Sequence, residues 1–150
     1  MRSLAIAALL LTLAATPAED PAVEAKDILG TWLTADGKAH IEIFECGDLY
    51  CGKIVWLSEP SENGLPKRDK ENPDESLRDR PILGLVLMRD FSYDGDGTWS
   101  GGKVYDPESG DEYQGKLTLK GAKTLDLRGY VLLPLFGRTE QWTKVATAPD

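Results

Sequence analysis

Cys46 and Cys51 are the only cysteines of the 150-residue chain, and His40, six residues before the first of them, is its only histidine. Thiol redox chemistry wants a Cys-x-x-Cys pair at a helix start, where the thiolate is stabilised, and the stretch IFECGDLYCGKIVW (43–56) offers neither the spacing nor a helix. A metal site built on the two thiolates lacks further ligands of the right type. A disulfide remains, the expected state of two neighbouring cysteines in an oxidising compartment. Closing so short a loop removes only about 2 kcal/mol of unfolded-state freedom, so its role is that of a staple.

Other chemistry is thinly represented. A Ser-His-Asp relay would have to use His40, and no Gly-x-Ser-x-Gly motif supplies a nucleophile. Carboxylates are plentiful, yet nothing singles out two of them as an acid/base pair. DFSYDGDGTWSG, from Asp90, has the opening of a calcium loop, but Gly101 stands where the bidentate Glu belongs and strands flank it. A turn between strands explains it better, and neither a metal nor another cofactor is expected.

Two segments could meet a ligand. Residues 59–81, EPSENGLPKRDKENPDESLRDRP, form the longest stretch without a strand pattern, and long loops in compact domains are often binding loops. There Arg80 could hold a carboxylate or phosphate at a barrel mouth. The competing reading has Arg78 and Arg80 paired with Asp69, Asp74 or Asp79 to fix the loop, and it is favoured because ion-pair networks are common structural devices. RGYVLLPLFGR (128–138) is a dense apolar connection between Arg128 and Arg138; burial as core is favoured over a cavity entrance or a partner surface. Trp56, Tyr105 and Tyr113 would supply aromatic walls with polar tips, and with Arg80 and Arg128 they form the expected ligand-binding set. Gly84, Gly101, Gly102 and Gly115 lie inside strand runs, where glycine marks bulges and bends or leaves room for a ligand.

The elements that must carry these residues read as strands. GTWLTA (30–35) leads through Asp36-Gly37 into AHIEIFEC and CGKIVWLS. Placing Cys46 opposite Cys51 sets Phe44 against Lys53, Ile43 against Ile54 and Ile41 against Trp56, so that Ile41, Ile43, Ile54 and Trp56 share one face. Further runs are PILGLVLMRDF (81–91), TWSGGKVY (98–105), EYQGKLTLK (112–120), TLDLRGYV (124–131) and TEQWTKV (139–145). In 112–120, Tyr113, Leu117 and Leu119 alternate with Glu112, Gln114, Lys116 and Lys120. The pattern predicts an all-β domain, a single antiparallel up-and-down β-barrel of about eight strands, with a two-sheet sandwich as the alternative.

The N-terminus, MRSLAIAALLLTLAATPAED, has a positive start, about ten uncharged apolar residues and small residues at a cleavage edge: a signal peptide over 1–18, too short to span a bilayer. A flexible or short helical lead-in (19–27), a barrel domain (28–146) and a tail (147–150) follow. No cysteine follows the apolar run, so no lipoprotein anchor is expected. Loss of Arg2 takes the charge from −8 to 16 − 25 = −9, which argues against nucleic acid and anionic membrane surfaces. A periplasmic or secreted location follows, with no transmembrane anchor.

Gly30-Thr31-Trp32 resembles the Gly-x-Trp signature of lipocalins and their relatives. In those barrels the Trp packs across the closed end against a late basic side chain, a role the resemblance offers to Lys144 or Arg138. A broader likeness rests on GTWLTADGKAHIEIFECGDLYCGKIVWL, DKENPDESLRDRPILGL, WSGGKVYDPESGDEYQGKL and LRGYVLLPLFGRTEQWTKV. Together they resemble the bacterial family called domain of unknown function 2147 (DUF2147), with Lys144 where Arg is expected. The resemblance implies exported proteins with a lipocalin-like barrel and no established activity. The leading expectation is a non-enzymatic binder of a small, partly apolar ligand. A cell-envelope scaffold acting through 59–81 or 130–136 is the alternative, and a hydrolase with an unrecognised site is third.

Overall fold

The computed structural model describes residues 4–19, 21–133, 135 and 137–146, so the expected tail 147–150 lies outside the described residues. Among the described residues ten strands run in chain order: β1 Gly30–Leu33, β2 Ala39–Cys46, β3 Leu49–Leu57, β4 Ser61–Glu62, β5 Leu65–Pro66, β6 Val86–Gly95, β7 Thr98–Asp106, β8 Asp111–Leu119, β9 Thr124–Tyr130 and β10 Gly137–Lys144. Eight of them close an antiparallel barrel in the order β1-β10-β9-β8-β7-β6-β3-β2, while β4 and β5 form a separate small hairpin within 59–81. Closure leaves no edge strand in the ring, which is the barrel's advantage over a sandwich.

Turn chemistry sets the strand ends. Asp96 and Gly97, both with positive φ, make the two-residue turn between β6 and β7, so the calcium-like run is a hairpin. Asp90 sits in β6, 2.9 Å from Arg89. The strand expected from residue 81 begins only at Val86, because Gly84 takes a left-handed φ of 89° and the backbone from Ile82 to Leu85 bends over the barrel mouth. Gly84 N–H donates to the Ile54 carbonyl at 2.8 Å there, and Ile82 and Leu85 are buried.

The disulfide Cys46–Cys51 is present with Cα atoms 5.9 Å apart, but the register differs from the one expected. Cys46 faces Leu49 across a two-residue turn, Phe44 faces Cys51, Ile43 faces Gly52 and Ile41 faces Ile54, so the cysteines are diagonal neighbours. A bulge then inserts Val55, and Trp56 pairs with His40. The extra residue reverses the alternation. Trp56 therefore lies on the outer face, 42% exposed, with its ring 4.5 Å from His40, while Ile41, Ile43 and Ile54 remain inside.

One end of the barrel is closed. The 3-10 turn Ala25–Ile28 seals it, with Ile28, Trp32, Phe91, Trp99 and Leu125 all buried there and below it. Three inward glycines make this half solid. A Cβ on Gly102 would stand 2.3 Å from the Phe91 ring, one on Gly115 2.7 Å from it, and one on Gly52 2.8 Å from Met88 Sδ. Gly102 and Gly115 thus make room for a core phenylalanine rather than for a ligand. Gly102→Val is expected to destabilise by about 3 kcal/mol through overpacking, read as a lower thermal midpoint, and a smaller residue at 91 should restore part of it.

Candidate functional site

Above the Phe91 layer the interior is hollow. A cavity of about 910 Å³ opens at the end opposite the 3-10 turn, where the 34–38 and 106–110 turns, the 58–85 connection and the segment after Tyr130 meet. Its apolar wall includes Ile41, Ile54, Val104 and Leu127, with Tyr113 facing in from β8. Gly129 also lines it; a Cβ there would meet only the Tyr113 Cβ, at 3.8 Å. The same residue type that packs tightly at 102 and 115 borders open space at 129, because no large side chain is aimed at it.

Strand β10 supplies polar groups. Arg138 pairs with Gly129, Glu140 with Leu127 and Trp142 with Leu125. Directly opposed residues share a face, so Arg138, Glu140 and Trp142 all point inward, and all three line the cavity. β1 pairs with β10 only through Trp32–Lys144 and Leu33–Thr143, which leaves the mouthward part of β10 bordering the cavity's open side.

At the closed end Trp32 and Lys144 meet. Lys144 Nζ lies 4.9 Å from the Trp32 ring centre and donates to the Leu29 carbonyl at 2.7 Å, and Trp32 Nε1 donates to the Ile28 carbonyl at 3.0 Å. Gly30 sits at φ 125°, a backbone conformation that other residues rarely adopt, and a Cβ there would also press on the Lys144 Cε at 2.9 Å. Arg138 is not part of this end. It lies six residues along β10 from Lys144, roughly 20 Å at strand rise, and borders the mouth.

Arg80 is committed to the loop rather than to the cavity. Its Nε donates to Asp69 Oδ2 at 2.8 Å, Asn72 Nδ2 donates to the same oxygen at 2.8 Å, and the Tyr105 hydroxyl donates to Asp69 Oδ1 at 2.5 Å. The guanidinium also lies 5.6 Å from the Tyr105 ring centre. Asp69 is fully buried. Burial works to raise its pKa, but the hydrogen bonds from Tyr105, Asn72 and Arg80 outweigh it and hold the carboxyl below its ordinary range. Burial, then the bond to Asp69, pushes the Tyr105 hydroxyl up to about 12. Arg78 Nε donates to the Asn72 carbonyl at 2.7 Å, and a Cβ on Gly110 would collide with the Glu71 carbonyl at 2.1 Å. The 69–81 segment is thus latched onto β7 and the 106–110 turn.

The remaining sequence candidates are spread out. Tyr105 and Tyr113 border the cavity, Tyr105 through the latch. Arg128 faces the outside of β9, its Nη1 2.8 Å from Thr139 Oγ1, so it is not in the cavity wall. The segment expected as core, 128–138, is not core in its described part: Leu132, Leu133 and Leu135 are exposed because it connects β9 and β10 at the open mouth. Pro134 and Phe136 lie outside the described residues. Sequence reasoning missed Asp69 as a buried centre and Glu140 and Gly129 as cavity residues. Alternation through TEQWTKV does put Glu140 with Trp142, a usable signal.

The solved structure of protein HP1028 from Helicobacter pylori, described as belonging to the lipocalin family, superposes with a TM-score of 0.72 at 23% identity, covering 80% of this chain and 84% of that one. That likeness shows a shared fold. No curated protein matches the chain. The model of a family described as uncharacterized proteins conserved in bacteria (DUF2147) matches residues 30–144, a span from the first strand of the barrel to the last. The chain belongs to this DUF2147 family.

Proposed function

We propose that this protein is an exported, non-enzymatic barrel that binds a small, partly apolar ligand in the hollow half of its interior. The observation that carries the reading is the cavity of about 910 Å³, with an apolar wall of Ile41, Ile54, Val104 and Leu127 and an open mouth bordered by charged residues. Its volume and lining are those of small-molecule sites. The Asp69–Tyr105 pair supports a non-enzymatic role, since three donors engage the Asp69 carboxylate in holding a loop. Export is supported by the staple in the β2–β3 hairpin and by the apolar leader, whose leucines from Leu4 to Leu13 are exposed and take no part in the core.

Gly129→Phe tests the reading, because it fills the chamber where a Cβ meets no obstacle and suits a strand. Titration with an environment-sensitive apolar fluorophore should show at least tenfold weaker binding in the variant, with an unchanged thermal midpoint. Equal binding by both proteins would remove the cavity as the site. So would failure of the unsubstituted protein to bind any apolar probe, together with native mass spectra of periplasmic material that hold no small molecule.

A second reading, an envelope scaffold, draws support from the exposed tip at Val131, Leu132, Leu133 and Leu135. In-cell crosslinking from position 132 that recovers one stoichiometric partner would favour it.

A further inference from the structure

Along the inner face of β10, from the packed layer toward the mouth, come Trp142, Glu140 and Arg138, an apolar ring followed by an anion and then a cation. We infer that this row selects a zwitterionic amphiphile whose ammonium stands nearer its apolar body than its anionic group does. The inference rests on the cavity being the ligand site, and names the class of ligand it would take.

Geometry supports each part. Trp142 is buried beside Leu125, at the level where the interior becomes solid, so an apolar group entering the chamber comes to rest near it. Glu140 is the next inward residue. Among the described residues it has no ion-pair partner within 4 Å, and its one hydrogen bond is a 3.5 Å contact from Trp142 Nε1. Its carboxylate is exposed to the cavity and its open side, with capacity left for an ammonium, and the neighbouring indole adds an attractive ring for a cation. Arg138 stands one step nearer the mouth, roughly 6.6 Å further along the strand, and likewise forms no ion pair among the described residues. Three other rim cations are engaged, Lys70 with Glu62 at 2.9 Å, Lys67 with Glu59 at 3.7 Å and Arg68 with Asp79 at 3.7 Å, while Lys38 lines the mouth from the turn between β1 and β2, off the β10 row. Arg138 is the cation on the same strand face as Glu140 and Trp142, placed to take a carboxylate or phosphate at the end of that row.

The order gives the inference its discriminating power. A fatty-acid anion would bring its charge against Glu140. A simple amine would leave Arg138 unanswered. A choline-type head, with phosphate inside and ammonium outside, would meet both charges in the wrong order.

Isothermal titration with five octyl compounds provides the test: octanol, octanoate, octylamine, N-octyl-N,N-dimethylglycine and octylphosphocholine. The dimethylglycine zwitterion should bind at least tenfold tighter than the other four. Glu140→Gln and Arg138→Gln should each remove most of that preference while leaving octanol affinity and thermal midpoint unchanged. If octanol binds and Gly129→Phe abolishes it, yet the five ligands bind alike or octylphosphocholine binds best, the cavity reading survives and this inference is overturned. An unchanged preference in Glu140→Gln would also overturn it. If none of the five binds, the cavity reading falls and takes the inference with it.

Discussion

Asp69→Ala is expected to destabilise the protein by about 3 kcal/mol and to release the 67–82 segment while leaving the barrel closed. The substitution strands the Tyr105 hydroxyl, the Arg80 guanidinium and the Asn72 amide, all three of which donate to that carboxylate. Removing one partner of a buried ion pair costs about 3 to 5 kcal/mol, because the other charge is left uncompensated. The lower end applies, since the Arg80 side chain is 35% exposed and water can take up part of its charge. Hydrogen exchange should rise at the Ile82 and Asp69 amides, which bond to the Lys67 and Arg80 carbonyls across the loop. An unchanged melting curve with unchanged exchange would refute the latch.

The same network predicts a pH dependence with two limbs. Asp69 has a folded pKa below its ordinary value, so its contribution is present above about pH 4 and is lost as pH falls through the folded value. Tyr105 has a folded pKa raised to about 12, so its contribution is present below about pH 10 and is lost as pH rises toward 12. Stability measured by urea unfolding across pH should therefore fall at both extremes. Asp69→Asn should flatten the acid limb, and Tyr105→Phe should flatten the alkaline one.

The other large effect is at the closed end. Trp32→Ala is expected to cost about 4 kcal/mol, a drop of about 15 °C in thermal midpoint for a domain of this size. Trp32 is fully buried, holds the 3-10 turn through its bond to the Ile28 carbonyl, and is covered by Lys144. Its loss leaves a cavity, unseats the seal and deprives Lys144 of its aromatic face. Trp32→Phe, which keeps a ring and loses the hydrogen bond, should recover more than half of the loss. Equal midpoints for Trp32→Ala and the unsubstituted protein would show that the end is closed by something else.

Much of this was legible in the residues. Alternation of apolar and polar positions, with Asp-Gly and related turns, marks the strands as strands, because each strand must bury one face. Gly30, Trp32 and Lys144 could be read together only through likeness to known barrels, since Trp32 and Lys144 stand 112 positions apart and nothing local signals their contact. Trp56 shows the limit of alternation. A single bulged residue at Val55 turns it outward, and the bulge depends on how β2 meets β3 rather than on any local pattern.

The sequence by itself determined the strand class of the chain, the turns, the cysteine pair and the family, because these depend on near-neighbour periodicity or on blocks that can be matched as text. Tertiary structure alone decided that Asp69 is a buried hub, that Arg138 stands at the mouth, and that one half of the barrel is solid and the other hollow. The physical reason is packing across the ring: whether an inward glycine is filled or borders open space depends on which side chain is aimed at it from another strand, as Phe91 is aimed at Gly102 and Gly115 while Gly129 meets only Tyr113.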